Sequence, residues 1–247
     1  MTGIVHLVGA GPGAADLLTL RAARLLAEAD VVLHDALVDP SVLELAANAK
    51  LYNVGKRAGR PSTDQRFICR LLVRVGQRHK IVVRLKGGDP SLFGRAAEEL
   101  NACRDAGIPV SIVPGVSSGF AAAAALGVSL TLRGVSRSVT FVTPAIAQGG
   151  EADDAWANAA AAAETAVIYM GATQADRVRR ELIARGVPAD RPIALVESAS
   201  TAKEVTLRGS LSALPELAAR LGDGPALIVV GEAVAEARAI VDAAAAA

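Results

Sequence analysis

The sequence predicts an α/β protein of two lobes, each built on a mostly parallel β-sheet. Short apolar runs alternate with segments in which apolar residues recur at helical spacing, the pattern of βαβ units. Residues 114–134 interrupt that alternation with a small-residue helix between glycines, so we place the joint there. The predicted lobes are residues 1–115 and 116–247, and 247 residues are enough for two modest domains.

The elements of each lobe follow from these apolar runs. In the first lobe, helical patterns separate the strands predicted at residues 4–8, 31–33, 51–54, 81–85 and 110–113. In the second lobe, the predicted strands are 139–142, 166–170, 193–196 and 226–230, and a helix is predicted near 211–221. Parallel sheets bind ligands at the carboxyl ends of their strands, so the residues just after each run are the first candidates for a site.

Composition excludes several classes of function. The formal net charge is +1, which argues against a nucleic-acid-binding protein. No apolar run reaches the length of a membrane span, and no secretory signal pattern is present. Cys69 and Cys103 are far apart in sequence, and the histidines show no metal-ligand spacing, so we predict no metal site. The expected compartment is the reducing cytoplasm.

A glycine-rich turn follows the first predicted strand. Gly9, Gly11 and Ala14 fit a loose dinucleotide fingerprint, which would indicate a nicotinamide-dependent oxidoreductase. Pro12 weakens that interpretation because proline has no N–H for a pyrophosphate. A tight turn that only allows a helix to pack on the sheet is the alternative, and the residues leave both open.

A second glycine turn, Gly87-Gly88-Asp89, follows the strand at 81–85. Asp89 could cap a helix that begins at Pro90, the favoured first residue of a helix. Capping does not explain two glycines in succession, so we favour a ligand at this turn.

Basic residues gather near these turns. The alternatives are a solvated surface and an anion-binding rim that grips carboxylates. The residues concerned are Lys50, Lys56, Arg57, Arg60, Arg84, Lys86, Arg95, Arg133 and Arg137.

Eight motifs, in order along nearly the whole chain, resemble the tetrapyrrole methyltransferases that use S-adenosylmethionine. VGKRAG together with RLKGGDP is the specific part of the resemblance, whereas GAGPG is shared more widely. The motifs are VGAGPG at 8–13, HDALV at 34–38, VGKRAGRPS at 54–62, VVRLKGGDPSLFGR at 82–95, VPGVSS at 113–118, SVTFVT at 138–143, YMG at 169–171 and PALIVVGE at 225–232.

The resemblance implies two α/β lobes of the class III methyltransferase type, with S-adenosylmethionine in the cleft between them. This cofactor has no phosphate, so a proline in the first turn is compatible with it. S-adenosylhomocysteine would be the product that leaves. The matching cofactor-binding residues are Pro12, Gly87, Gly88, Asp89, Leu92, Ser117, Ser118, Met170, Ala199 and Ala226.

The resemblance also implies the reaction. Asp35 and Lys56 match the proton acceptor and proton donor, although Lys56 could equally bind a propionate. The substrate would be uroporphyrinogen III, methylated at C2 and C7 through precorrin-1 to precorrin-2, which leads to sirohaem and cobalamin. Its carboxylates would be bound by Arg57, Arg60, Arg95 and Arg133. A homodimer is expected, because relatives are typically homodimers.

Departures from the family pattern fall mainly on the substrate side. They lie at Ala36, Ala96, Leu132 and Ala145. They leave open a later precorrin methyltransferase of the cobalamin pathway and a non-catalytic tetrapyrrole sensor as alternatives.

Overall fold

A computed structural model describes residues 3–55, 64–145 and 154–235. The chain divides into two compact units, Met1–Ser118 and Gly119–Ala247, each with its own five-stranded sheet. The units are described separately below.

The sheet of the first unit is parallel throughout, as the sequence predicts. Its strand order is β3-β2-β4-β1-β5. The central strands are buried because helices cover both faces, which is why they read as continuous apolar runs. The edge strand β3 is fully exposed. The strands are β1 Ile4–Gly9, β2 Val31–His34, β3 Lys50–Asn53, β4 Ile81–Lys86 and β5 Val110–Val113.

Helices cover the two faces of this sheet and form two cores. Val31 and Leu33 face the core that includes α3 and α4, and Val32 between them faces the core that includes α1 and α2. The Thr19 hydroxyl caps α1 by accepting from the Ala22 N–H at 3.2 Å. The helices of the unit are α1 Leu20–Glu28, α2 Pro40–Leu43, α3 Gln65–Gly76 and α4 Ala96–Asp105.

The sheet of the second unit is mixed, in strand order β6-β7-β10-β8-β9. β6 and β7 are parallel, whereas β10 runs antiparallel to both of its neighbours and β9 antiparallel to β8. The strands are β6 Val139–Val142, β7 Thr165–Tyr169, β8 Pro192–Glu197, β9 Val205–Ser210 and β10 Ala226–Gly231. The helices are α5 Ser118–Leu126, α6 Ala155–Ala162, α7 Ala175–Ala184 and α8 Leu214–Ala218.

The prediction of two sheets packed with helices is confirmed. Among the described strands of the second sheet, however, β6 and β7 are the only neighbours that run parallel. A strand buried on both faces is apolar throughout in either direction, so the pattern of β8 and β10 could not reveal their directions. β9 was not predicted, because its residues are mostly exposed and form no apolar run. Likewise, α8 is shorter than the helix predicted at 211–221.

Candidate functional site

The turns that follow β1 and β4 are joined directly by their backbones. Ala10 N–H donates to the Lys86 carbonyl at 2.7 Å. Gly11 and Gly88 then exchange two hydrogen bonds, of 3.3 and 2.7 Å, beyond the end of the strand pair. The two predicted glycine turns are therefore parts of one structure at the carboxyl edge of the first sheet.

Two glycines in this region are required by packing alone. A Cβ atom on Gly9 would lie 2.6 Å from the Cα of Gly115, and one on Gly115 would lie 2.4 Å from the Gly88 carbonyl oxygen. These obstacles are backbone atoms that cannot rotate away. Gly9 therefore fits the packing interpretation of the first turn, in which glycine allows backbone segments to approach closely.

Gly87 and Gly88 are different, because open space lies beside both. Gly87 is exposed, and the nearest atom to a Cβ built on it is the Leu37 Cβ at 3.9 Å. A Cβ on Gly88 would meet nothing closer than the Ser118 nitrogen at 3.8 Å. Gly88 has a φ of +66°, which favours glycine, but no contact requires glycine at Gly87. The bare backbone here suits a ligand lying against it.

Asp89 joins two turns rather than capping a helix. One carboxylate oxygen accepts from the Ser91 N–H at 2.8 Å, and the other accepts from the Gly115 N–H at 2.9 Å. The prediction that Asp89 caps a helix starting at Pro90 is wrong: the helix α4 begins only at Ala96, after a series of turns. Each carboxylate oxygen has a further lone pair that a ligand could use.

The remaining cofactor residues assigned to the first unit lie in or beside the same turns. Ser117 Cα and Ser118 N are the atoms nearest to a Cβ built on Gly88, at 3.9 and 3.8 Å. Pro12 follows Gly11 directly and is half-buried, as is Leu92 in the turns before α4. The structure therefore brings Gly88 together with Ser117 and Ser118.

The cofactor residues assigned to the second unit lie at one end of its inner strands β7, β8 and β10, a region that we call the second edge. Met170 follows β7, Ala199 follows Glu197 at the end of β8, and Ala226 begins β10. Because β10 is antiparallel to both neighbours, its first residue pairs with Glu197. The strand direction that sequence reasoning missed is thus what places Ala226 beside the other two.

This second edge contains strained backbone. Met170 has a φ of 55° and Ser198 a φ of 51°, in the left-handed region that side chains other than glycine rarely adopt. The Met170 side chain is 50% exposed. Strain of this kind costs about 1–3 kcal/mol and concentrates at functional sites.

Asp35 belongs to a network of buried charges that sequence analysis did not foresee. The Arg84 Nη2 donates to Asp35 Oδ1 at 2.6 Å, and the Arg84 Nε donates to Glu99 Oε1 at 3.0 Å. Lys86 Nζ lies 3.1 Å from both Glu99 oxygens, and Gln65 Nε2 lies 3.1 Å from Oε1. Only Asp35 reaches solvent appreciably.

Arg84 and Lys86 are therefore interior residues, and the interpretation that they extend an exposed basic rim is wrong. Burial, and then the nearby Arg84 guanidinium, lower the pKa of Lys86. Burial also acts to lower the pKa of Arg84, but the carboxylates of Asp35 and Glu99 outweigh it and raise that pKa. Arg84 therefore stays charged beside Asp35.

Only two of the residues predicted to bind substrate lie within the described ranges. Lys56, Arg57 and Arg60 lie outside the described residues. Arg95 is exposed, and its guanidinium faces Glu98 through two bonds, Nε to Oε1 at 2.7 Å and Nη2 to Oε2 at 2.9 Å. Arg133, in the second unit, is also exposed.

An open depression of about 490 Å³ lies elsewhere, beside α7 and α8 of the second unit. None of the predicted site residues lines it, and its walls show no strained backbone or buried charge cluster.

Within the described ranges, no group of His, Cys, Asp and Glu side chains could hold a metal ion. No helix among those residues has the length and apolar character needed to cross a membrane.

The chain is similar to known proteins along most of its length. The sequence pattern of the family described as Tetrapyrrole (Corrin/Porphyrin) Methylases matches residues 5–215. Siroheme synthase of Tolumonas auensis is 47% identical over 234 residues, which are 94% of this chain and 50% of that protein. Siroheme synthase of Salmonella typhimurium is 46% identical over the same shares. The chain thus spans about half the length of these curated relatives.

Solved structures are similar over nearly the whole of both chains. The uroporphyrin-III C-methyl transferase of Thermus thermophilus, complexed with S-adenyl homocysteine, has a TM-score of 0.83 and 41% identity, covering 94% of this chain and 99% of that one. A cobalt precorrin-4 methyltransferase has a TM-score of 0.81 and 28% identity, covering 94% and 95%.

Proposed function

The chain belongs to the tetrapyrrole methylase family, and from that premise we propose that it is a uroporphyrinogen-III C-methyltransferase. It transfers methyl groups from two molecules of S-adenosylmethionine to C2 and C7 of uroporphyrinogen III. Precorrin-1 is the intermediate and precorrin-2 the product, which supplies sirohaem or cobalamin synthesis. The likeness to the Thermus enzyme over nearly its full length supports this choice.

The observation that carries the proposal is the open backbone at Gly87 and Gly88. Packing explains Gly9 and Gly115 completely, but it leaves Gly87 unexplained. A nucleoside and amino-acid ligand lying against the turn accounts for a residue without a side chain. Asp89 would hold the hydroxyl or amino groups of that ligand, with Leu92 and Ser118 beside it.

Met170, Ala199 and Ala226 are proposed to contact the same cofactor. Two of them are small, and the third presents a flexible apolar side chain from strained backbone. Such residues suit close contact with a flat adenine and a thioether. The bound cofactor supplies an electrophilic methyl group on a sulfonium.

The protein's own contribution is alignment and proton transfer. A pyrrole carbon of the substrate forms the new bond to the methyl group, the carbon–sulfur bond breaks, and its electron pair stays on sulfur. Asp35 orients the pyrrole N–H groups and accepts the proton whose loss neutralises the ring. Lys56 is proposed as the proton donor. Excluding water keeps carbon, methyl and sulfur in line.

Substrate binding is proposed to involve Arg57, Arg60, Arg95 and Arg133, because the substrate carries carboxylates all around its ring. For Arg95 this requires an exchange of partner, since Glu98 already occupies its guanidinium. That pair is exposed, so exchanging it costs little.

A second candidate is methylation of a later precorrin. The likeness to a cobalt precorrin-4 methyltransferase, together with the substitutions at Ala36 and Leu132, favours keeping it as the alternative. The greater identity to the Thermus enzyme ranks it second.

A product assay tests the proposal. Uroporphyrinogen III generated enzymatically without oxygen is incubated with S-adenosylmethionine and the protein, and products are analysed by mass spectrometry. We expect mass gains of one and then two methyl units. If no methyl is gained from this substrate while S-adenosylhomocysteine binds, the substrate assignment is wrong. If NADH binds in calorimetry and S-adenosylhomocysteine does not, the methyltransferase proposal itself is overturned.

We also propose a homodimer located in the cytoplasm. The dimer rests on the family resemblance, and the compartment is consistent with Cys69 and Cys103 both being free thiols. Sedimentation equilibrium should give twice the chain mass of 25.1 kDa, and a single-chain mass would contradict the dimer.

A further inference from the structure

Among the described residues of the first unit, Glu99 is the most completely buried charged group. Its side chain has no solvent exposure, yet it accepts hydrogen bonds from Arg84, Lys86 and Gln65. No substrate can reach it. Nothing in the proposed reaction uses it directly, so its role must act through a neighbour.

The guanidinium of Arg84 is fixed on every side. Its Nε donates to Glu99, its Nη1 donates to the Leu85 carbonyl at 3.0 Å, and its Nη2 donates to Asp35. A planar guanidinium held at Nε and Nη1 has only one direction left for Nη2. The position of the Asp35 carboxylate is set by that direction.

Lys86 connects the same carboxylate to the open glycine turn. It is the last residue of β4, directly before Gly87, and its ammonium lies against both Glu99 oxygens. The Lys86 carbonyl also accepts from Ala10 N–H. Glu99 therefore contacts both Arg84, which binds Asp35, and Lys86, which directly precedes the turn assigned to the cofactor.

Stability alone does not account for this arrangement. Apolar residues of similar volume often replace buried ion pairs with no loss, or with a gain, of stability. The network balances two cations against two carboxylates, and its only appreciably exposed group is the Asp35 carboxylate, at 29%. A buried set of charges that ends at one exposed carboxylate is suited to holding that group.

We propose that Glu99 is a positioning residue. Through Arg84 it orients the Asp35 carboxylate, and through Lys86 it fixes the position of that carboxylate relative to the Gly87-Gly88 turn. The inference rests on the proposed function for the role of Asp35 in proton transfer. The orientation itself is a property of the network and can be measured separately.

A double-mutant cycle provides the kinetic test. Glu99→Gln should lower kcat for uroporphyrinogen III about tenfold, with KM and the Kd for S-adenosylhomocysteine within about twofold of wild type. In the Asp35→Asn background, the same change should have no further effect, because the group it positions is already lost. Asp105→Asn, an exposed charge removal on the same helix, is the matched control and should leave kcat unchanged.

Equal loss in both backgrounds would show a role independent of Asp35 and overturn the proposal. So would an unchanged kcat in the single variant. If Glu99→Gln does not fold, the cycle is run with Arg84→Lys, which keeps the charge but loses the planar fork. The same two outcomes then decide.

A second readout does not depend on activity. In protein labelled with ¹³C at aspartate carboxyl carbons, the Asp35 signal is identified by its absence from Asp35→Asn. Its chemical shift should change in Glu99→Gln and stay constant in Asp105→Asn, and an unmoved signal overturns the inference. If wild-type protein methylates nothing, the proposed function fails, and this measurement still decides the role of Glu99.

Discussion

In each unit the predicted site residues lie at one end of the strands, but the first edge and the second edge contain different kinds of residue. The first unit uses bare backbone and buried charge: its turns are joined by hydrogen bonds, and Arg84, Lys86 and Glu99 lie beneath them. The second unit uses small or apolar residues on strained backbone, with Met170 the most exposed. Among the predicted site residues, those of the first edge include the carboxylates of Asp35 and Asp89, whereas Met170, Ala199 and Ala226 at the second edge have only apolar side chains. The buried Glu197 carboxylate also lies at the second edge, but it accepts from the Gly222 and Gly224 N–H groups. The difference teaches that the predicted proton acceptor and the predicted apolar contacts come from separate units.

The largest effect is expected at Asp35, the proton acceptor proposed at the first edge. Asp35→Asn should lower turnover at least about 100-fold, because the amide cannot accept the proton. The Kd for S-adenosylhomocysteine, measured by calorimetry, should stay within about twofold. The exposed Asp176→Asn serves as the control. Turnover within tenfold of wild type would remove Asp35 from the reaction and leave the two edges chemically alike.

The next effect separates the glycines of the first edge. Gly115→Ala should lower the free energy of unfolding by about 3 kcal/mol, because its Cβ would meet the Gly88 carbonyl. Gly87→Ala should unfold like wild type in urea yet weaken binding of S-adenosylhomocysteine. If Gly87→Ala binds the ligand normally, the open turn is not the cofactor site.

A smaller effect tests the strained edge. Met170→Gly should raise the free energy of unfolding by up to about 1 kcal/mol, because glycine adopts a φ of 55° without penalty. It should also weaken S-adenosylhomocysteine binding, since the apolar contact is lost. Met170→Ala should lose the same affinity without gaining stability. Unchanged affinity in both variants would contradict a ligand at this edge.

The smallest effect concerns the buried ammonium. Because folding lowers the pKa of Lys86 from its ordinary 10.5, the unfolded chain binds more protons between the two values. Wild-type stability should therefore rise with pH towards 10.5, relative to Lys86→Met. Urea unfolding of both proteins at several pH values above neutrality measures the difference. A stability difference that stays constant with pH would contradict the lowered pKa.

Much of the first sheet could be predicted from sequence, because short apolar runs between helices indicate parallel strands. Its strands lie where the runs predict, to within a residue at either end. The direction of β10 could not be predicted, since burial on both faces removes the alternation that distinguishes strand environments. The exposed edge strand β9 forms no apolar run, because only Val205 and Leu207 of its residues are large and apolar.

Within the candidate site, motifs identified the turns but not the support beneath them. Glu99 was missed because its partners lie 13, 15 and 34 positions away along the chain. One signal was present: Glu99 lies three residues after Ala96 and four before Cys103, on the apolar face of α4. A carboxylate on a buried helix face needs partners, and β4 supplies Arg84 and Lys86.

The Asp89 carboxylate gives the first edge a further property. Since it accepts from both Ser91 N–H and Gly115 N–H, the two loops that contain these amides cannot move apart without losing a bond. Ser91 lies in the same turn as Asp89, so a separation of the two loops releases the Gly115 amide and leaves the Ser91 amide bonded. The Gly115 amide should therefore exchange its hydrogen for deuterium at the rate at which the two loops separate.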